Sequence, residues 1–281
     1  MPDRQRVVVT GAHGFLGRAV VARFVADGHE CIAATRGAGV LPGAKMLHVP
    51  DYSELVALPG AVLIHLAETR SITATDGAGS AHLEASTNLV RVLLGMHWEH
   101  VIYLSSAAVY GDRAASAHLP EENPEPVSNY GRTKLACEAM VLAEGGTVLR
   151  STNLIGPGMA ADNVLADILG QLDRTGPLVL RSLAPVRDYL WIEDAAELVV
   201  RAAGRQKGGI FNAASGRVVS VAELAKLVLA TARQSSRPVV ETRPVSDNSM
   251  IKLDIASTTR AFGWVPQTTL EAAMQILIHN E

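Results

Sequence analysis

Tyr130 and Lys134 stand four residues apart in Asn129-Tyr130-Gly131-Arg132-Thr133-Lys134, so in a helix their side chains share a face. An ammonium beside a phenol favours the phenolate, and a cationic nicotinamide ring close by would add to the effect. Tyr130 is then suited to give a proton to, or take one from, a hydroxyl whose carbon exchanges hydride with a cofactor. Ser106 supplies a third group. It ends the apolar run Val101-Ile102-Tyr103-Leu104-Ser105-Ser106, and open parallel sheets bind ligands at the carboxyl ends of their strands. A hydroxyl there can hold the substrate oxygen against Tyr130. The hydride carrier is announced by Gly11-Ala12-His13-Gly14-Phe15-Leu16-Gly17, directly after the valine-rich run Arg6-Val7-Val8-Val9-Thr10. Glycines spaced three and three at a strand-to-helix turn let the backbone approach a pyrophosphate at the positive end of the helix.

The elements that must position these groups alternate in period. After the glycine loop, Leu16, Val20, Phe24 and Val25 mark one face of a helix. Cys31–Thr35 reads as a second strand, whose end faces the adenosine ribose in a dinucleotide fold. Thr35 and Arg36 stand where a carboxylate would select NAD; a hydroxyl and a guanidinium suit a 2′-phosphate, which favours NADP. Met46–Val49 is a short third strand, and Asp51 is expected to cap the next helix or touch the adenine edge. Ala61–Ala67 is a fourth buried strand, and the segment 68–80 is expected to form a loop over the cofactor. A helix carrying Leu83, Leu89, Val90, Leu93 and Leu94, the strand ending at Ser106, a proline-rich stretch over 112–128, the helix of Tyr130 and a strand at 147–150 follow. Strands alternating with helices of this length predict a parallel sheet covered on both faces. Beyond it the pattern loosens. Helices are expected at about 162–172, 193–203, 221–232 and 270–278, and strands at 187–192 and 210–213.

Composition excludes other classes. The chain has 281 residues, is 48% hydrophobic and carries a formal net charge of −3, which offers no electrostatic footprint for nucleic acid. It has no apolar run of about 18 residues and no leader-like start, so a cytoplasmic protein without a membrane span is expected. Cys31 and Cys137 read as buried free thiols. His97 and His100 flank Trp98-Glu99 and read as surface histidines, so no metal is expected.

Glycine loop, strand-end serine and the Tyr130–Lys134 pair occur here in the order and spacing of the extended short-chain dehydrogenase/reductases that act as nucleotide-sugar epimerases, reductases and dehydratases. The chain resembles that family over nearly its whole length. The resemblance implies a Rossmann-type, doubly wound α/β fold with a small discontinuous substrate domain. Residues 1–150, with a return at about 186–213, would bind the cofactor, and 151–185 with 214–281 would cover the sugar. It implies Ser106, Tyr130 and Lys134 as catalytic residues. Gly11, His13, Gly14, Phe15, Leu16, Gly17, Thr35, Arg36, Asp51, Leu66, Ala67 and Ser105 would contact the cofactor together with Tyr130 and Lys134. Asn153, Asn163, Arg187 and Arg243 would hold a nucleotide diphosphate sugar beside Ser106 and Tyr130. Ala107 and Ala108 occupy the acid and base positions of the dehydratases and cannot move a proton, which argues against dehydration. Reduction of a 4-keto sugar by NADP(H) is the leading expectation, with a 4-epimerase using NAD, or a non-catalytic NADP-binding protein, as the alternatives. The family's habit implies a homodimer through helices near 81–96 and 129–143.

Overall fold

The computed structural model describes residues 4–68, 77, 79–112, 116–243 and 249–279. Its strands are β1 (Arg6–Thr10), β2 (Glu30–Thr35), β3 (Lys45–His48), β4 (Ala61–His65), β5 (His100–Ser106), β6 (Thr147–Ser151), β7 (Asn153–Ile155), β8 (Leu178–Leu180), β9 (Val186–Trp191), β10 (Gly209–Ala213), β11 (Val218–Ser220) and β12 (Val239–Glu241). The helices are α1 (Phe15–Ala26), α2 (Ser80–Leu94), α3 (Asn129–Ala143), α4 (Val164–Leu169), α5 (Ile192–Arg205), α6 (Val221–Thr231), α7 (Ala256–Phe262) and α8 (Leu270–His279).

Seven strands form one sheet in the order β10-β6-β5-β4-β1-β2-β3, and every pairing within it is parallel. The order reverses between β1 and β4, and such a switch point opens a crevice at the carboxyl ends of the strands. The valine run of β1 explains why both faces are covered. Successive side chains of a strand point to opposite faces. Val7 and Val9 pack with Val20 and Phe24 of α1 and Leu198 of α5, whereas Val8 packs with Val90 of α2 and Val141 of α3. The fold is a doubly wound α/β sheet.

A separate apolar cluster lies beyond β6. It joins Leu165 and Ile168 of α4, Leu224 and Val228 of α6, and Met274 of α8 around the small sheets β11-β9-β7 and β12-β8. Val186–Trp191 belongs to that three-stranded sheet, pairing with Asn153–Ile155 and Val218–Ser220. The chain rejoins the large layer from Ile192, whose helix packs on the α1 side of the sheet. The helix expected over 162–172 is shorter, Val164–Leu169, because Asn163 caps its start and Gly170 ends it.

Candidate active site at the carboxyl edge of the sheet

The loop after β1 is shaped by its glycines. Gly11 has φ +69, and a Cβ there would come within 2.9 Å of the Ala67 backbone. A Cβ on Gly17 would collide with the Gly11 carbonyl oxygen, so only glycine lets α1 start this close to β1. The Gly11 N–H donates to the Tyr52 hydroxyl at 3.0 Å, a brace from a tyrosine that the sequence pattern did not single out. Gly14 is the N-cap of α1 without a side-chain cap, and the first turn carries no acidic residue. Orphan N–H groups and the positive helix end therefore face the crevice, as a pyrophosphate requires. The cradle fits a dinucleotide.

Two cavities open there and share Gly11, Gly14, Leu66 and Glu68. The larger, about 620 Å³, is lined by Phe15, Leu16 and Gly17 of the loop, by Ser105, Ser106, Tyr130 and Lys134, and by Asn153, Asp162 and Asn163. The smaller, about 480 Å³, runs past His13, Thr35, Arg36, Gly37, Tyr52 and Ala67 to His82 and Ser86 of α2. Thr35 Oγ1 bonds with His13 Nδ1 at 3.0 Å and accepts from the Gly37 N–H at 3.1 Å. The exposed Arg36 guanidinium lies 5.6 Å from the Tyr52 ring centroid. The smaller cavity thus gathers the Arg36 guanidinium, the His13 and His82 imidazoles and the hydroxyls of Thr35, Tyr52 and Ser86. Asp51 does not line it. Its carboxylate accepts from the Ser53 N–H at 2.9 Å as the cap of a short 3-10 turn, and that bond holds it below the usual carboxylate range. Of its two expected roles, capping is the one it fills.

Ser106, Tyr130 and Lys134 converge on the larger cavity by local geometry. Ser128 caps α3 by accepting from the Gly131 N–H at 3.1 Å. A Cβ at Gly131 would come within 2.6 Å of the Ala108 carbonyl oxygen, so this glycine lets the helix start against the turn that follows Ser106. Ser106 Oγ accepts from the Ala108 N–H at 3.2 Å, which leaves its own O–H free to donate. Lys134 is buried, its Nζ 4.8 Å from the Tyr103 ring centroid and 5.8 Å from that of Tyr130. It donates to the Leu104 carbonyl at 2.8 Å and pairs with the Glu68 carboxylate. Glu68 also accepts from the Tyr103 hydroxyl at 2.8 Å. Burial pushes the Glu68 carboxyl up, but the Lys134 charge together with the hydrogen bonds from Lys134 and Tyr103 holds it below its usual range. Burial likewise disfavours the Lys134 ammonium, but the Glu68 charge and hydrogen bond, with Tyr130 beside them, raise the lysine above its ordinary value. Both groups are charged.

Glu68 is the residue the sequence pattern missed. Its signal was its position, one residue after the alanine at the end of the β4 segment. The rest of the loop expected over the cofactor lies mostly outside the described residues. Ser105 borders the larger cavity, but its hydroxyl turns away and donates to Glu138. Arg150 holds the same carboxylate through Nε at 3.1 Å and through its terminal nitrogen at 2.7 Å.

The four expected diphosphate contacts divide. Asn153 lines the larger cavity and donates to the Asp188 carbonyl at 3.0 Å. Asn163 lines it too, while its Oδ1 caps α4 on the Ala166 N–H at 2.9 Å. Arg187 and Arg243 line neither cavity. The Arg187 guanidinium is spent on Ser249, donating to its carbonyl at 2.8 Å and its hydroxyl at 2.7 Å. Arg187 forms no pair with Asp188, whose Oδ1 accepts from the Ser215 N–H at 2.8 Å and whose carboxyl burial pushes up to about 6. Arg243 is exposed, its N–H donating to the Arg181 carbonyl at 2.8 Å.

Known proteins share this architecture. The dTDP-6-deoxy-L-talose 4-dehydrogenase (NAD(P)(+)) of Kitasatospora kifunensis is 28% identical over 302 residues, spanning 97% of this chain and 94% of its own. The structure of a UDP-glucose 4-epimerase from Thermotoga maritima superposes with a TM-score of 0.85 at 23% identity, covering 98% of this chain and 97% of that one. The NADPH complex of RMD from Pseudomonas aeruginosa superposes with a TM-score of 0.82 at 24% identity, covering 98% and 97%. At these identities the two structures speak for the fold. The profile of the NAD dependent epimerase/dehydratase family matches residues 7–214, from β1 through β10, and with the glycine cradle, the strand-end serine and the Tyr130–Lys134 pair all in place the chain belongs to that family.

Proposed function

We propose that the protein is an NADP-linked reductase of a 4-keto sugar carried on a nucleoside diphosphate. The observation that carries this reading is the convergence of Ser106, Tyr130 and Lys134 on one cavity continuous with the glycine cradle. The name of the Kitasatospora relative, a 4-dehydrogenase using NAD(P), supports both the carbon and the cofactor class. Ala107 and Ala108, which stand where dehydratases of the family carry their acid and base, cannot move a proton, and this speaks against dehydration. His13, Thr35 and Arg36 at the smaller cavity support NADP over NAD.

When bound, the cofactor supplies a hydride to the carbonyl carbon. The chain's own residues do the rest. Ser106 donates its hydroxyl proton in a hydrogen bond to the sugar oxygen and fixes it. Tyr130 gives its phenolic proton to that oxygen as the carbon is reduced. Lys134, with two oxygen partners among the described residues for three N–H groups, keeps one donor for a ribose hydroxyl. Asn153 and Asn163 suit the diphosphate, and residues 151–185 with 214–281, joined by the strand Val186–Trp191 that pairs with both, would cover the sugar. We also keep a homodimer through the faces of α2 and α3, and a cytoplasmic location; among the described residues no helix is long and apolar enough to cross a membrane.

The test is an assay of NADPH oxidation with dTDP-, UDP- and GDP-linked 4-keto-6-deoxyhexoses. One NADPH consumed per sugar reduced is the expected result. Interconversion of C4 epimers with no net change in cofactor would replace this reading by the epimerase.

A further inference from the structure

We infer that Glu68 is a positioning residue of this reaction, anchoring the Lys134 ammonium in the cleft and balancing its charge so that Tyr130 keeps the proton it must donate. The inference rests on the reading of Tyr130 as proton donor.

Three observations carry it. Glu68 lines both cavities, so its carboxylate sits where they meet rather than on the surface. Both its oxygens are used, one on Tyr103 and one on Lys134, which fixes its rotamer. Lys134 is held between that carboxylate and the Leu104 carbonyl with its charge beside the Tyr130 ring. A lone ammonium at this place draws the phenol toward the phenolate. An ammonium paired with a carboxylate presents Tyr130 with a charge pair that is neutral overall, and the pull weakens. A protonated phenol is what reduction consumes.

The other titratable groups around the pair leave Glu68 in charge of this balance. His65, at the end of β4, is depressed to about 4 by burial and is neutral at working pH. Burial also raises Tyr103 in β5 well above its ordinary value. Cys137, on the helix of Lys134, is pushed up to about 12 by burial, so it stays a thiol. Asp162 is the other carboxylate among the described lining residues, and it stands in the larger cavity only.

The test needs neither cofactor nor substrate. Phenolate formation in the unliganded protein is followed by near-ultraviolet difference absorbance for the wild type, E68Q, E68A and E68D. Each is also titrated in a Tyr130→Phe background, so that the difference isolates Tyr130. With Glu68 removed, Lys134 still donates to the Leu104 carbonyl at the wall of an open cavity and keeps its charge without a counterion, so the Tyr130 midpoint is expected to fall by about one pH unit. E68D, which keeps the carboxylate, is expected to retain most of the wild-type midpoint. An unchanged or raised midpoint in folded E68Q or E68A would overturn the inference. A lowered midpoint in a protein that reduces no keto sugar would uphold the role of Glu68 and sink the proposed reaction instead.

Discussion

Tyr130, Lys134 and Glu138 follow one another at four-residue intervals along one face of α3, and the two charged members each sit in a buried ion pair. The pairs are built differently. Glu138 and Arg150 have side chains 1% and 2% exposed, and the carboxylate is closed off by Arg150 on one side and the Ser105 hydroxyl on the other. The Arg150 guanidinium also lies 4.6 Å from the Tyr110 ring centroid and donates to the Pro120 carbonyl. Nothing in that set opens to the cleft beyond the edge of Ser105. Glu68 and Lys134 are each 7% exposed, yet both line the cavity, and Lys134 retains an N–H without a partner among the described residues. The difference is one of completeness. A buried pair closed off by protein on both sides of its carboxylate holds structure, whereas a pair at a cavity wall whose lysine has a donor to spare can exchange contacts with a ligand.

The contrast can be broken by substitution. Arg150→Met leaves the Glu138 carboxylate buried without its cation, and a loss of about 3–5 kcal/mol in unfolding free energy is expected from chemical denaturation. Ser105→Ala removes one bond to that carboxylate and should cost about 1.5–3 kcal/mol while leaving NADPH affinity as it was. A drop in affinity would return Ser105 to the cofactor site, where the sequence alone had put it. Lys134→Met is expected to cost only about 1 kcal/mol of stability, because Glu68 at the cavity wall can be reached by water, yet it should abolish most turnover. A stability loss for Lys134→Met matching that for Arg150→Met would erase the distinction.

The two pairs also mark where the sequence could be read and where it could not. Tyr130 and Lys134 were found from their spacing because helix periodicity is local, and the glycine loop because its backbone demands are local too. Glu138 continues the same row, but its partners Ser105 and Arg150 come from two strands of the sheet, and no pattern along the chain joins them. Glu68 was hidden for the same reason. It stands after the last residue of a strand, in a segment whose composition reads as loop, and only the fold brings it to Lys134. The large sheet was readable because its strands are continuous apolar runs between helices. The three-residue strands Asn153–Ile155 and Val218–Ser220 carry no period of their own and exist through pairing with Val186–Trp191. Arg187 shows the reverse error. A guanidinium in a recognisable motif was expected at a diphosphate, and in the fold it is satisfied by Ser249.

The most direct trial of the account is Tyr130→Phe, which removes one oxygen from the face that α3 presents to the cleft. Steady-state reduction of a nucleotide-linked 4-keto sugar is measured beside NADPH affinity by fluorescence titration. A fall in kcat of about 10²–10⁴-fold with NADPH affinity held within a few fold is the result expected of a proton donor. Wild-type turnover in Tyr130→Phe would contradict it.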